Sequence, residues 1–419
     1  MNPRKWIAIS LAAAAAATVT ATATATAATA TATATTATAS AAIASAATAR
    51  AAAAAAAPDG HGYTQQDLQR DLDAITATGV PGVLAEVRTG SRVLRGTSGV
   101  ANLDTRAPVN GGGHFRIGSD TKTFVSVVVL QLVAEHRLSL DDTVARWLPG
   151  VVHGNGNDGN QITVRELLQH TSGLHNYTDD LQAEITSPEA YTKLEFEQFS
   201  RQDLLNIAFS HQPTSAPGAA FNYSNTNYIL LGMIIEKVTH DSWEDQVTKR
   251  IIAPLGLRHT LAPGTSTRLP SPHATGYLIF GKNTRVDTTS ENMSWAGSAG
   301  ALISTASDLS RFWSAIGNGT LLPPAQIREM RQTVPAAGGD VATVPGSRYG
   351  LGIFSIPLTC GGVYWSHEGD VPGYNTVGAV SSDGRTTVVE SINSNVDDPV
   401  LAAEYGLVDH VMCGQPGQG

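Results

Sequence analysis

The apolar positions at the start of the folded chain predict one amphipathic helix followed by a pair of strands. Between Tyr63 and Thr76, leucine and isoleucine recur at helical spacing, so we expect a helix with one buried face. Strand-forming segments then occupy residues 82–89 and 92–101. Gly90-Ser91 lies between them and is typical of a hairpin turn, which predicts an antiparallel pair.

A long apolar run opens a mostly helical region in the middle of the chain. From Val125 to Leu132 nearly every position is apolar, which predicts a helix buried on all sides. Between about residues 141 and 269, helical spacing alternates with loops, and we expect an inserted helical region there. Its predicted helices are 163–169, 202–209, 228–238 and 243–252.

Strand patterns return in the last third of the chain. The predicted strands are 349–356, 363–367, 374–380 and 385–392, the last after the turn Asp383-Gly384. A final helix is expected from Pro399 to Met412. The pattern therefore predicts an α/β (α+β) fold, with an antiparallel sheet built from both ends of the chain, sandwiched by helices, and an all-helical inserted region.

Residues 1–57 differ in composition from the rest of the chain. Arg4 and Lys5 precede a short apolar run, and small-residue sites such as Ala28-Thr29-Ala30 follow, a pattern typical of a signal peptide. The Ala/Thr repeat up to Ala57 lacks periodicity and large side chains, so it cannot build a core. We expect a secreted protein with its folded domain at 58–419. A transmembrane anchor is the alternative, which the threonines disfavour.

The net negative charge of the chain limits the kinds of molecule that it can bind. The chain carries a net charge of −9, and its first 57 residues hold basic residues but no acids, so the remainder is more acidic still. We therefore expect neither a nucleic acid nor an anionic membrane as partner.

The two cysteines, Cys360 and Cys413, most simply form one disulfide in an oxidising exterior, with a metal site as the alternative.

A Ser-x-x-Lys motif stands where a loop enters the buried helix. At a spacing of three on a helix, the hydroxyl of Ser119 and the ammonium of Lys122 share one face. A serine hydroxyl needs a neighbouring base to become a nucleophile, and a lysine desolvated by apolar neighbours can have a depressed pKa. The helix N-terminus also offers N–H groups to an oxyanion. An N-cap serine beside an incidental lysine is the structural alternative.

Two further motifs could complete the chemistry. Tyr223-Ser224-Asn225 presents a phenol and a carboxamide on a loop. We expect cations to depress the pKa of the phenol so that it takes and returns protons, while Asn225 holds a substrate amide. A turn followed by a helix cap is the alternative.

His367-Glu368-Gly369 ends a predicted strand, where the glycine would permit close approach of an extended substrate. The N–H of Asp370 would join that of Ser119 in an oxyanion pair, and a structural histidine is the alternative.

In this order, the three motifs resemble those of the serine penicillin-recognising hydrolases, which include class C β-lactamases, D-stereospecific aminopeptidases and esterases. The chain is most similar to a soluble, secreted D-alanyl-D-alanine carboxypeptidase/transpeptidase. The resemblance extends over residues 62–414 and includes 168–174, Ser294-Trp295-Ala296, 349–352 and both cysteines.

The resemblance implies a fold and a set of roles. The fold would be an antiparallel sheet of five or more strands sandwiched by helices, plus an all-helical region. Ser119 would be the nucleophile, Lys122 and Tyr223 would exchange its proton, and Asn225 would orient the substrate. The substrate-binding set would also include His367, Glu368, Gly369, Asp370 and Trp295. Residues 170–173 would be a structural turn, and no cofactor or metal is implied.

One position departs from the family pattern. The carboxypeptidase members have a hydroxylated residue before the glycine and an arginine nearby for the free substrate carboxylate. Here that residue is Glu368, no basic side chain other than His367 lies between Tyr349 and Gly369, and Arg348 is close in sequence. A glutamate facing a carboxylate would repel it by roughly 1 kcal/mol or more at close range. The expected ligands are still peptidoglycan-type D-peptides and β-lactams.

Several functions remain open from the sequence alone. A D-alanyl-D-alanine carboxypeptidase is the first, and a D-stereospecific aminopeptidase, amidase or esterase or a class C-like β-lactamase is the alternative. A non-catalytic binder of β-lactams or muropeptides would not need an activated nucleophile. The chain has neither a G-x-S-x-G nucleophile elbow nor an H-E-x-x-H zinc motif, which disfavours an α/β-hydrolase and a zinc enzyme of that type.

Overall fold

The structure, a computed structural model, describes residues 62–281, 284–336 and 344–414. The leader predicted at 1–57 lies outside the described residues. The helices are α1 Gln65–Ala77, α2 Thr121–Ala134, α3 Val144–Trp147, α4 Val164–Leu168, α5 Tyr177–Gln182, α6 Pro188–Thr192, α7 Arg201–Phe209, α8 Asn225–Thr239, α9 Trp243–Val247, α10 Ala253–Leu255, α11 Gly297–Gly300, α12 Ala306–Gly317, α13 Pro324–Met330 and α14 Asp398–Cys413. Short 3-10 turns lie at Gly118–Asp120 and Met293–Trp295, and a π-helical turn lies at Thr248–Ile252.

Both ends of the chain contribute to one large sheet. The strands are β1 Gly82–Thr89, β2 Arg92–Gly99, β3 His114–Arg116, β4 His153–Gly154, β5 Asn157–Asp158, β6 Tyr277–Phe280, β7 Thr284–Asp287, β8 Ile303–Thr305, β9 Val334–Pro335, β10 Arg348–Tyr349, β11 Phe354–Pro357, β12 Val363–Val371, β13 Tyr374–Ser381 and β14 Thr386–Ile392. Eight of them form a sheet in the order β2-β1-β14-β13-β12-β11-β10-β9. Every pairing in it is antiparallel, which confirms the predicted fold class.

Helices cover both faces of the sheet because its strands alternate apolar side chains between two cores. On one face, residues such as Val83, Val377 and Val388 pack with α1 and α14. On the other face, Val380 and Val389 belong to a larger core that includes the buried residues of α2 and of the helical region. The sheet is therefore the middle layer of the molecule.

The predicted helical region is present between β3 and β6. It contains α2 to α10, and its strands are the two-residue pair β4 and β5. The buried apolar run forms α2, in which residues from Thr121 to Leu130 are all buried. A helix without a polar side needs neighbours all round it, and α8, α9, α11 and α13 supply them.

One predicted strand is wrong. The segment 349–356 forms two short strands, β10 and β11, which pair with each other around a turn. Gly352 in this turn has φ +80°, and a Cβ there would lie 1.9 Å from the Ser126 hydroxyl of α2. The close packing of the turn on α2 therefore interrupts the strand pattern.

The C-terminal helix is fixed to the sheet by several contacts. Cys360, between β11 and β12, is joined to Cys413 at the end of α14, with Cα atoms 5.7 Å apart. The Asp409 carboxylate on α14 also accepts the backbone N–H of Thr359 at 2.9 Å. Within the described ranges, no helix has the length and apolar character needed to cross a membrane.

Candidate active site

Ser119 lies in the 3-10 turn that leads into α2, against strand β12. Gly118 adopts φ +48°, and a Cβ on it would lie 2.8 Å from the backbone nitrogen of Asp370. A Cβ on Gly369 would lie 1.9 Å from the carbonyl oxygen of Ile117. Because neither glycine has a side chain, the turn and the strand approach each other closely. The backbone nitrogens of Ser119 and Asp370 therefore lie near each other. We predicted that Gly369 would permit close approach of an extended substrate, whereas the contact that it permits here is with the turn that carries Ser119.

Lys122 is fully buried and contacts Ser119. Its Nζ donates hydrogen bonds to the Ser119 hydroxyl and to the Ala299 carbonyl oxygen, both at 2.8 Å. Burial lowers the pKa of the Lys122 ammonium well below its usual range. A neutral amine in this position can accept the serine proton through the existing contact.

Tyr223 covers the same lysine, but its pKa differs from the sequence prediction. The Lys122 Nζ lies 4.8 Å from the centre of the Tyr223 ring. Burial raises the pKa of the Tyr223 phenol, and its hydrogen bond with Ser119 opposes that rise only in part. The predicted depression of this pKa by cations is wrong, because desolvation is the largest influence on the phenol and raises its pKa. Tyr223 is therefore a protonated phenol that can donate.

His170 holds the chain on both sides of Tyr223. Its carbonyl oxygen accepts the N–H of Asn222 at 2.7 Å, and its Nδ1 accepts the N–H of Ser224 at 3.1 Å. The His170 backbone has φ 57°, and Gly173 has φ +76° with Ser215 so close that a Cβ would overlap it. Residues 170–173 thus form a tight turn, and its histidine positions the phenol.

Asn225 is oriented by the loop that precedes α5. Its backbone N–H donates to the Asn176 Oδ1 at 2.8 Å, and its Nδ2 donates to the Thr178 hydroxyl at 2.9 Å. The side chain is half-buried. The carboxamide is therefore held in one orientation at the start of α8.

His367 is a neutral, buried residue of β12. Its Nδ1 donates to the carbonyl oxygen of Glu368 at 2.7 Å, and its Nε2 accepts from the Tyr349 hydroxyl at 3.1 Å. Burial and the nearby Lys122 lower the pKa of His367 to about 3. It cannot supply the positive charge that would hold a substrate carboxylate near neutral pH.

Strand β12 has an open segment beside Ser119. Strand β11 pairs with β12 only from Val363 to Ser366. From His367 to Val371, the described strands pair with β12 on the β13 side only. An extended substrate could add its backbone to this open side.

The Glu368 carboxylate points away from the His367 side chain, as alternation along a strand requires. The Tyr405 hydroxyl of α14 donates to the Glu368 Oε1 at 2.6 Å. The charge of Glu368 nevertheless contributes to the raised pKa of Tyr223. Arg348 does not neutralise it, since the guanidinium donates to the hydroxyl and carbonyl of Thr333 instead.

An apolar pocket adjoins these residues, between α5, α6 and the end of β12. Its lining residues are Thr178, Leu181, Gln182, Ile185, Tyr191, Leu194, Phe199, Leu278, Glu291, Trp295, Asp370, Val371, Pro372 and Asn395. Thr178 connects it to Asn225, and Asp370 connects it to the turn of Ser119. Trp295 lies in this wall, as its prediction as a substrate-binding residue requires. The lining contains two carboxylates and no lysine, arginine or histidine.

Glu291 is a pocket residue that sequence reasoning missed. It is 3% exposed, and its Oε1 accepts the Trp295 indole N–H at 3.1 Å. Burial raises the pKa of Glu291 to about 8, although the nearby Arg116 opposes the rise. Tyr349 and Thr178 were also missed as partners of site residues. The four-residue spacing from Glu291 to Trp295 was the one available signal, and it is common in helices and turns.

Comparisons with known sequences agree with this geometry. The sequence model of a family described as Beta-lactamase matches residues 51–411. The chain is 28% identical over 323 residues to the putative penicillin-binding protein PbpX of Bacillus subtilis (strain 168), covering 77% of this chain and 72% of that protein. It is also 28% identical over 250 residues to Protein flp of Staphylococcus aureus (strain MW2), of whose length it spans only 48%.

Solved structures give a similar result. A D-stereospecific amidohydrolase from Streptomyces sp. is 38% identical, with a TM-score of 0.77, and the match covers 84% of this chain and 100% of that one. The D-amino acid amidase from Ochrobactrum anthropi SV3, complexed with L-phenylalanine, is 27% identical, with a TM-score of 0.72. That match covers 83% of this chain and 98% of the amidase.

Proposed function

Because the chain belongs to the beta-lactamase family of serine hydrolases, we propose that it hydrolyses amides, peptides or esters of D-configured residues through an acyl-enzyme on Ser119. The observation that carries the proposal is the contact between Ser119 and a fully buried lysine at 2.8 Å. Burial favours the neutral amine, which is the form that can accept a proton.

Acylation would use the residues as follows. The Lys122 amine takes the hydroxyl proton while the Ser119 Oγ forms a bond to the substrate carbonyl carbon. The carbonyl oxygen becomes an oxyanion between the N–H groups of Ser119 and Asp370. When the bond to the leaving group breaks, Tyr223 donates a proton to the departing nitrogen or oxygen and regains one from Lys122. Water then hydrolyses the acyl-enzyme and releases the acid.

The pocket supports an acyl group with a bulky apolar side chain. Its wall includes Tyr191, Phe199 and Trp295, and such surfaces bind apolar groups by burial. Two solved neighbours, a D-stereospecific amidohydrolase and a D-amino acid amidase, favour a D-configured residue at this position. We therefore propose D-aminoacyl amides and peptides as the substrate class, including peptidoglycan-type D-peptides.

A D-alanyl-D-alanine carboxypeptidase is the second candidate. It is favoured by curated relatives named as penicillin-binding proteins. Against it, the pocket lining offers two carboxyl groups and no cation for a free substrate carboxylate, and Arg348 is bonded elsewhere. We also propose that the enzyme acts outside the cell, on the basis of its leader pattern and its disulfide.

One set of measurements tests the proposal. Intact-mass analysis with a penicillin should show one covalent adduct, mapped to Ser119 and absent from Ser119→Ala. The protein should then hydrolyse D-phenylalanine amide in preference to its L-enantiomer. An adduct without turnover of any D-amide, D-peptide or β-lactam would identify a non-catalytic binder. Faster turnover of a D-Ala-D-Ala acid than of its amide would favour the carboxypeptidase.

A further inference from the structure

Three side chains that commonly ligate metals converge outside the active site. We propose that His175, Asp180 and His211 form a binding site for a divalent transition-metal ion, with Zn²⁺ as its physiological ligand. The Nε2 of His175 lies 2.7 Å from the Asp180 Oδ2, and the Nε2 of His211 lies 3.0 Å from the Oδ1 of the same carboxylate. All candidate ligand atoms lie within 4.8 Å of one another.

The chemistry of the set fits zinc. Two imidazole nitrogens and one carboxylate are borderline ligands that Zn²⁺ accepts at about 2.0–2.2 Å, usually in a tetrahedral arrangement. Both Nε2 atoms face the same Asp180 carboxylate, and because the rings are stacked 3.8 Å apart, centroid to centroid, each ring would rotate to direct its Nε2 lone pair at a shared ion. Zinc would replace the two hydrogen bonds to Asp180, and the Nε2 proton of each imidazole would move to Nδ1, so that each ring stays neutral. Water would occupy the fourth position.

The surroundings are open to an ion and negative in charge. The side chains of His175, Asp180 and His211 are 18%, 32% and 41% exposed, so solvent reaches the cluster. Within the described residues, the ion pairs of Asp180 involve these two histidines and no lysine or arginine. Glu184 lies four positions after Asp180, in the turn that follows α5.

The location suggests that the ion braces the active site. The carbonyl oxygen of His175 accepts the hydroxyls of Ser224 at 3.1 Å and Thr226 at 2.6 Å, on either side of Asn225. Asp180 lies on α5, the helix whose Thr178 accepts the Asn225 Nδ2. His211 follows α7. A metal ion would therefore tie the end of α7 to the segment that orients Asn225 and forms one pocket wall.

The sequence pattern did not indicate this site, because Asp180 is five positions from His175 and 31 positions from His211. They meet only after α5 and α7 have packed together. The site contains none of the residues that we assign to acylation, so the ion would stabilise the fold locally without entering the reaction at Ser119.

Metal binding can be measured directly on the secreted protein without a histidine tag, after chelator treatment and dialysis. Titration calorimetry with ZnCl₂ should give one equivalent, and Co²⁺ should produce the visible absorption of a tetrahedral site. Changing even outer-shell partners costs about 10- to 100-fold in affinity, so His175→Ala, His211→Ala and Asp180→Asn should each lose about 100-fold or more. His153→Ala, at an exposed histidine elsewhere, should bind normally.

Two further measurements keep this result separate from the hydrolase proposal. Ser119→Ala should bind zinc as the native protein does, whether or not the native protein hydrolyses D-amides. The thermal midpoint should rise with zinc concentration in the native protein and stay constant in His211→Ala. Absence of binding at 100-fold molar excess of ZnCl₂, or unchanged binding in the three ligand variants, would overturn the proposal and leave the cluster as a hydrogen-bonded brace.

Discussion

The imidazole of His170 packs against the phenol ring of Tyr223, with the ring centroids 4.2 Å apart. The same histidine accepts backbone N–H groups from the residues before and after Tyr223. Burial and the neighbouring Lys122 lower the pKa of His170 well below its usual range, so the ring is neutral and its Nδ1 is free to accept. The position of the phenol over Lys122 therefore depends on a residue with no assigned chemical step.

Replacing His170 by alanine should slow acylation by about tenfold or more, because small displacements of a reacting group are costly. The measurement is the rate of penicillin adduct formation by stopped-flow or quenched mass analysis. In a Tyr223→Phe background, the same replacement should have little further effect. A full additional loss in that background would indicate a general folding defect, and His153→Ala serves as the matched control.

Lys122→Ala and Tyr223→Phe should each reduce the acylation rate by about 10² or more, as expected for lost proton transfer. Their effects should not add in the double variant, since both residues serve one proton path. Single-turnover kinetics with a β-lactam measures all three rates. Near-native acylation by either single variant would contradict the assigned roles.

Much of the fold could be predicted because its signals are local. The apolar run that forms α2, the hairpin of β1 and β2 and the terminal helix all follow from periodicity and turn residues. The segment at 349–356 could not be predicted correctly, because its turn depends on packing between Gly352 and Ser126. Periodicity carries no information about such a distant contact.

The candidate site also contains features that the sequence predicts and features that depend on the tertiary fold. Ser119 and Lys122 share one helical turn, so their contact follows from spacing alone. The pKa of Tyr223 could not be predicted, because it depends on how completely the fold removes water from the phenol. Glu291 joins the pocket only through tertiary packing, and its burial has no counterpart in the sequence pattern.

A buried pair of carboxyl groups should make stability depend on pH. Glu390 on β14 and Glu404 on α14 are both buried, and burial raises the pKa of Glu390 to about 8 and that of Glu404 well above its usual range. An ordinary glutamate in the unfolded chain ionises near 4.5. The folded state therefore retains protons that the unfolded state releases, and stability should fall as pH rises from about 4.5 through 8.

Glu390→Gln should reduce this loss, because an amide stays neutral at every pH. The difference in unfolding free energy between pH 6 and pH 9, measured with urea, should shrink by at least about 1 kcal/mol. Glu189→Gln, at an exposed glutamate, should leave the difference unchanged. An equal pH dependence in Glu390→Gln and the native protein would show that the pair is not the cause.

The link between Cys360 and Cys413 should contribute substantially to stability. It closes a loop with a sequence separation of 53, for which the chain-entropy estimate is roughly 4 kcal/mol. Replacing both cysteines by serine should lower the free energy of unfolding by up to that amount, measured with denaturant under non-reducing conditions. Two titratable thiols in the native protein would refute the bond.

Glu368 should determine whether a substrate with a free carboxylate is accepted. Its carboxylate accepts a hydrogen bond from Tyr405, and its charge contributes to the raised pKa of Tyr223. Glu368 therefore adds negative potential near Ser119 and Tyr223. Burial raises the pKa of Glu368, and the repulsion should therefore weaken as the pH falls. A peptide ending in an amide, an ester or a further residue would avoid this repulsion.

Replacing Glu368 by threonine should shift the preference toward a free carboxylate by about tenfold, which corresponds to roughly 1.4 kcal/mol. The measurement is kcat/KM for a matched pair of D-peptides that differ only in a C-terminal acid or amide. Glu368→Gln is the informative control, because it keeps an acceptor for Tyr405 while removing the charge. If both variants shift the ratio, the charge is responsible. A shift in Glu368→Thr alone would assign the preference to the new hydroxyl, and an unchanged ratio in both would mean that the carboxylate of Glu368 does not act on the substrate.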